Sequence, residues 1–219
     1  MTTMPASKPP VDRLARQSAY VAYVLELCEN KKNRADLRSG LGKPVERSNY
    51  MHRLLVPRLK DDEAQHRDAR RAHYAVASLI AGRPRATRDA EAQATADQAE
   101  PATSDGRAQV TDWWKRPNLG ASLAEAVNKK IIKPDTAEAD LHLMARQSSD
   151  AIHLRLPSLT RQLLSKGVTV DWAVLLHDLT WWNRDQDRIA TRWLESYFRV
   201  RTRELPNDDE PSGTPEENH

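Results

Sequence analysis

The chain has 219 residues, a formal net charge of +3, seven glycines, six tryptophans and one cysteine. That length makes one large or two small domains. A lone thiol excludes an internal disulfide or a cysteine-rich zinc site, and no apolar run reaches the length of a membrane span. The scarcity of glycine and the dominance of Ala, Leu and Arg favour helices over strands.

The charge is unevenly laid out. Residues 206–219 hold Asp208, Asp209, Glu210, Glu216 and Glu217 with no Lys or Arg, and residues 86–105 hold five acids against Arg88 alone. The remaining body is strongly cationic, which points to an anionic partner, nucleic acid first. The plain alternative is a solvated Arg-rich surface. Residues 1–10 read as a disordered lead without the apolar segment of a secretory signal, so a soluble, cytoplasmic protein is expected.

From residue 11, Leu14, Val21, Val24, Leu25 and Cys28 recur at helical spacing, with Cys28 as a core thiol. A second short helix ends at Leu37-Arg38-Ser39-Gly40-Leu41-Gly42-Lys43-Pro44, where Gly40 or Gly42 supplies a left-handed cap. Tyr50, Met51, Leu54 and Leu55 mark a third helix interrupted near Pro57. Ala72, Ala75, Val76, Leu79 and Ile80 give a narrow apolar face on a fourth, stopped by Gly82 and Pro84. Residues 81–109 contain no large apolar side chain and read as a flexible acidic loop at about 83–109, in preference to a weak helix at 89–98.

Trp113-Trp114 returns the chain to a core. Leu119, Leu123, Val127, Ile131 and Ile132 continue as a helix that ends before Pro134. Asp135 and Glu138 resemble a capping box for the helix of Leu141, Met144, Ala145 and Ile152. Pro157 reads as a helix start, and Gly167 as the cap after Leu159, Leu163 and Leu164. Asp171 N-caps the helix of Trp172, Leu175, Leu176 and Leu179. A last helix buries Ile189, Trp193, Leu194, Tyr197 and Phe198. The expectation is an all-α fold of eight to nine helices in two small antiparallel bundles, at residues 11–134 and 135–205, with a disordered acidic tail at 206–219.

The candidate chemistry is cationic. Lys115 and Arg116 follow the Trp pair, an arrangement for base stacking beside phosphate, although burial of at least one Trp is the simpler reading. Lys129, Lys130 and Lys133 crowd a helix C-terminus, where the helix dipole alone favours them. Arg146, Arg155, Arg161 and Lys166 recur as a backbone-tracking groove requires. Arg38, Lys43, Arg47, Arg53 and Arg58 form the other basic stretch. Arg184 and Arg188 interleave with Asp185 and Asp187, which reads as local ion pairing. His142, His153, His177-Asp178 and Asp185 supply the residue types of a helical metal phosphohydrolase. Metal ligands must converge, yet His177 and Asp178 fall off the apolar face, so this reading is weak. No phosphate-binding glycine loop or nucleophile elbow is present.

Three ordered fragments, Leu37-Arg38-Ser39-Gly40-Leu41-Gly42, Ala77-Ser78-Leu79-Ile80-Ala81 and Asn118-Leu119-Gly120-Ala121-Ser122-Leu123, carry a family resemblance. With the helix from Ala139 to Gln147 and the segment from Val170 to Trp182, they resemble the CasB family, the small subunit of the type I-E CRISPR complex Cascade. The resemblance covers most of residues 12–200. It implies a non-catalytic, cofactor-free helical protein that stabilises the guide RNA–target DNA R-loop and the displaced strand through backbone contacts. Its implied partners are the backbone and large subunits, guide RNA, target DNA and a second copy of itself, with no membrane. It also keeps Arg184 as a contact. Two departures stand out. Ser39 follows Arg38 where many members have paired Arg, and Ala139-Asp140 replaces an Arg pair. A free-standing DNA- or RNA-binding module is the alternative.

Overall fold

The structure, a computed structural model, describes residues 14–60, 63, 65–90 and 113–203, and only the backbone of Trp114. The expected lead, most of the acidic loop, the Trp114 side chain and the acidic tail lie outside the described residues. Among the described residues there is no strand, and the fold is all-α.

Helix α1 (Ala15–Glu29) turns Tyr20, Val24 and Cys28 inward. Helix α2 (Lys31–Arg38) begins at Asn30, whose side-chain oxygen accepts from the Lys32 and Asn33 amides at 2.9 and 3.2 Å. This is a favoured cap. In the following loop Gly42 has φ +67°, the left-handed region that glycine enters without strain. Helix α3 (Asn49–Leu55) buries Met51, Leu54 and Leu55 and passes into a 3₁₀ turn at Val56–Arg58 that holds Pro57. Tyr50 departs from expectation at 68% exposure. Three neighbours define the inward side of this short helix, and Tyr50 falls outside their arc.

Helix α4 (Arg67–Ala81) is central, with α1 and α2 among its neighbours. Its expected narrow stripe is a nearly complete collar, since Ala69, Ala72, His73, Tyr74 and every residue from Val76 to Ala81 are buried. Small alanines admit neighbours on several sides, which a stripe of large residues does not reveal. Beyond Pro84, residues 85–90 are helical where a loop was expected. The Thr87 hydroxyl ties them down by donating to the Leu164 carbonyl at 2.9 Å.

Helix α5 (Leu119–Asn128) explains the Asn118–Leu123 motif. Asn118 caps it, accepting from the Ala121 amide, while its own amide donates to Ser196 Oγ at 2.8 Å. Gly120 lets a neighbouring backbone approach, because a Cβ there would lie 1.9 Å from the Trp193 carbonyl oxygen. Ser122 donates to the Thr169 carbonyl. The α5 C-terminus closes with Lys130 in the left-handed region (φ 57°), its amide bonded to Val127 O and that of Ile131 to Ala126 O. This is the Schellman pattern, with lysine where glycine is usual.

Helix α6 (Pro134–Ala145) starts one residue before the expected cap. Pro134 takes the first turn, Lys133 the cap position, and no side chain caps it. Proline is suited to that first position because its missing amide needs no partner. Helix α7 (Ser149–Leu164) is capped by Ser148, so Ile152 belongs to it and not, as expected, to the helix before, and Pro157 lies in its interior rather than at its start. The lost amide forgoes one bond to the His153 carbonyl. Burial of Ile152, Leu156, Leu159 and Leu163 carries the helix through it. Gly167 (φ +72°) then caps, as its sequence position suggests.

The last element, α8 (Trp172–Arg203), has a non-helical residue at Asp185 (φ −128°, ψ 32°). Trp193 Nε1 donates to Asp178 at 2.7 Å, although fifteen residues of straight helix would separate them by about 22 Å. The chain therefore folds back at Asp185 into two arms, 172–184 and 186–203, the two helices expected. The reversal is tied to the end of α6. Trp182 Nε1 donates to the Gln147 carbonyl, and Gln186 Nε2 donates to those of Ala145 and Gln147. Phe198, expected inside, is 44% exposed beside buried Tyr197. Helix α8 packs on α4 and α5 and also meets α1, α6 and α7. Buried residues before and after position 134 form one contiguous cluster.

Candidate nucleic-acid interface

The charged residues divide into those occupied within the fold and those presented outward. Arg116 is of the first kind. Its Nε and Nη2 donate to the two Asp171 oxygens at 2.7 and 2.8 Å, and Nη1 reaches Ser18 Oγ. Asp171 simultaneously accepts from the Ala173 and Val174 amides, the expected cap of α8. Arg155 pairs with Asp140 at 2.5 Å, so one acid of the Ala139-Asp140 departure has a structural partner. Arg53 pairs with Asp36, and Arg58 lies 5.0 Å from the Tyr23 ring centroid. Arg184 stacks over exposed Trp181 at 5.2 Å, in place of the expected ion pairing with Asp185 or Asp187.

Asp178 corrects the sequence reading more sharply. It is fully buried and ion-paired with Arg192. Arg192 in turn lies 4.8 Å from the Trp113 ring, which is half-buried against His177. A buried carboxylate needs such a partner. The partner comes from the opposite arm of the reversal, where helical periodicity cannot show it. His153 faces Ser149 and Arg71, and His142 approaches Glu138 at 3.7 Å. Among the described residues no three His, Cys, Asp or Glu side chains converge.

The outward cations are carried on segments that touch. The 39–43 loop abuts α7, since a Cβ on Gly42 would lie 4.0 Å from Pro157 Cγ. Leu41 packs against Gly82 at the end of α4. Thr87 binds the α7 C-terminus, and Lys129 Nζ donates to Gly167 O at 2.9 Å while pairing with Glu125. Arg38 and Lys43, the half-buried Arg83 and Arg88, Arg161 and Lys166, and Lys129 and Lys130 thus lie on adjoining segments, most of them in the turns beyond helix ends. Arg47, Lys115 and Arg146 are exposed elsewhere.

Lys31 and Arg34 escaped the sequence reading. With Arg38 they line a depression on α2, and their i, i+3, i+7 spacing carries that signal. Arg34, Arg83 and Arg88 all bear on Cys28. Burial pushes its thiol pKa up, and these three guanidiniums act against that rise. A set of cations held on separate backbone segments, with few local acids, can follow a chain of phosphates without reading bases.

These features define an all-helical, cation-faced protein, and no described helix is long and apolar enough to cross a membrane. The sequence matches the family described as CRISPR-associated protein Cse2 over residues 33–198, and the chain belongs to that family. Two similar solved chains come from a "CRISPR RNA-guided surveillance complex" and a "CRISPR RNA-guided surveillance complex, pre-nicking". They share 33% and 36% identity with TM-scores of 0.68 and 0.71. Each comparison covers 87% of this chain, and 95% and 96% of the respective relative. M. ruber CasB shares the fold at 20% identity and TM-score 0.64, over 88% of this chain and 97% of that one. No curated protein matches.

Proposed function

We propose that the chain is the non-catalytic small subunit of a type I-E CRISPR surveillance complex in the cytoplasm. In this reading it binds nucleic-acid backbone, stabilising the guide RNA–target DNA R-loop and the displaced strand. The observation that carries it is family membership together with near full-length similarity to surveillance-complex chains. The adjoining cations supply the means, through charge neutralisation that tips a near-balanced strand exchange. Arg38, Lys43, Arg161, Lys166 and Lys129 are the contacts favoured from the sequence reading. Lys31, Arg34, Arg83 and Arg88 extend them. Arg116 and Arg155 have internal carboxylate partners and serve the fold in this reading. Partners are the backbone and large subunits, guide RNA, target DNA and a second copy of the chain.

The test is affinity purification of the tagged chain from its own cells, with sequencing of bound RNA. A discrete RNA carrying CRISPR repeats, with partner proteins at fixed ratio, is expected. The chain alone, or with heterogeneous nucleic acid, would replace this reading with a free-standing binder.

A further inference from the structure

Between the 40–43 loop, α4 and α7 lies a small cleft lined by Gly42, Lys43, Arg71, Ser78, His153 and Pro157, among others. Its space is about 10 Å³, enough for one oxygen-sized group. Two buried side-chain atoms among its lining residues, Arg71 Nε and His153 Nε2, have no hydrogen-bond partner. His153 is only 6% exposed.

The polarity of these atoms selects the ligand. His153 Nδ1 lies 2.7 Å from the Ser149 carbonyl, which can only accept, so Nδ1 carries the proton and Nε2 presents a lone pair. Burial holds this imidazole neutral, with its pKa down to about 4. Arg71 Nε is a donor. Its Nη1 pairs with Asp150. Ser78 Oγ donates to Ala75 O and keeps its own lone pairs. A phosphate oxygen would satisfy Arg71 but face the imidazole lone pair. An ammonium would satisfy His153 but face Arg71. A hydroxyl satisfies both, accepting from Arg71 and donating to His153. Lys43 stands among the lining residues as a cation for an adjacent phosphate.

We propose that this cleft is a ribose 2′-hydroxyl site, taking one sugar hydroxyl of an RNA strand between Arg71 Nε and His153 Nε2 while Lys43 meets the neighbouring phosphate. The inference rests on the nucleic-acid reading above and sharpens it, because the 2′-hydroxyl is the group by which a protein separates RNA from DNA.

The experiment compares binding of the full chain to matched RNA, DNA and 2′-O-methyl RNA single strands at fixed salt. It uses wild type, His153→Leu and Lys43→Ala. Wild type should favour RNA over DNA by roughly five- to tenfold, the worth of about one net hydrogen-bond pair. The 2′-O-methyl strand, which cannot donate, should fall to the DNA level, and this comparison needs no variant to fold. His153→Leu should erase the RNA advantage and leave DNA affinity unchanged, while Lys43→Ala should weaken both strands. Equal RNA and DNA binding by wild type, or an RNA advantage that survives His153→Leu or 2′-O-methylation, overturns the hydroxyl site and leaves the backbone reading standing. Binding to neither strand overturns both.

Discussion

Replacing His153 with leucine should flatten the acid side of the stability profile. The imidazole pKa falls from its ordinary 6.5 to about 4, first through burial and then through the Arg71 charge. The Ser149 carbonyl and Asp68 oppose the shift. Below pH 6.5 the unfolded chain binds a proton at this site that the folded chain refuses until about pH 4. The stability is therefore full above 6.5 and is lost as pH falls toward 4. At 1.36 kcal/mol per unit the ceiling is about 3 kcal/mol, of which about 2 falls between pH 7 and pH 5. For a chain of this size that is roughly 4–8 °C in Tm. The assay is urea or thermal unfolding of wild type and His153→Leu at both pH values, read as the difference of differences so that other titrating groups cancel. Wild type should lose about 2 kcal/mol more than the variant. Parallel profiles would mean that His153 titrates normally, and would refute the buried neutral imidazole.

Gly120→Ala should cost about 3 kcal/mol or more, because the new methyl overlaps the Trp193 carbonyl and must push α5 and α8 apart; unchanged denaturant unfolding would disprove that contact. Lys130→Gly should raise stability by about 0.5–1 kcal/mol by relieving a left-handed lysine, and a loss on thermal melting would count against the Schellman assignment. Arg116→Ala should lower stability by about 2 kcal/mol, since Asp171 loses a forked partner. DNA affinity measured well below its melting temperature should be unchanged. By contrast, joint charge reversal of Arg161 and Lys166 should leave melting alone and shallow the salt dependence of DNA binding by about 1–2 in slope. An unaltered slope removes both from the interface.

Local chemistry was legible in the sequence wherever a residue acts on its own neighbours. Asp171 caps the helix that follows it, Gly167 closes the one before it, and both were readable from spacing. Stripes of large residues in α1, α5 and α7 likewise reported real inward faces. Reading failed where the deciding partner is distant in sequence. Asp178 looks solvated until Arg192 and Trp193 arrive from across the Asp185 reversal. The collar of α4 is hidden because alanine is equally at home in a core or on a surface. Arg116 and Arg161 look alike in the sequence, and only the Asp171 fork distinguishes an internal cation from an outward one. The 40–43 loop, Arg71 and His153 come from three separate stretches, so no local pattern announces their cleft.

Helix α8 also bears on the order in which the molecule is made. It meets α1, α4, α5, α6 and α7, yet it follows all of them along the chain. A ribosome has released α1 and α4 long before the surface that covers their apolar sides exists. Contacts of such long sequence separation form late and slowly. Biogenesis thus depends on waiting. The earlier helices must stay soluble as an open, incompletely packed set until the hairpin from Trp172 to Arg203 emerges and closes around them. Synthesis that stalls before Trp172 should yield a nascent chain recognised as unfolded, whatever the quality of its individual helices.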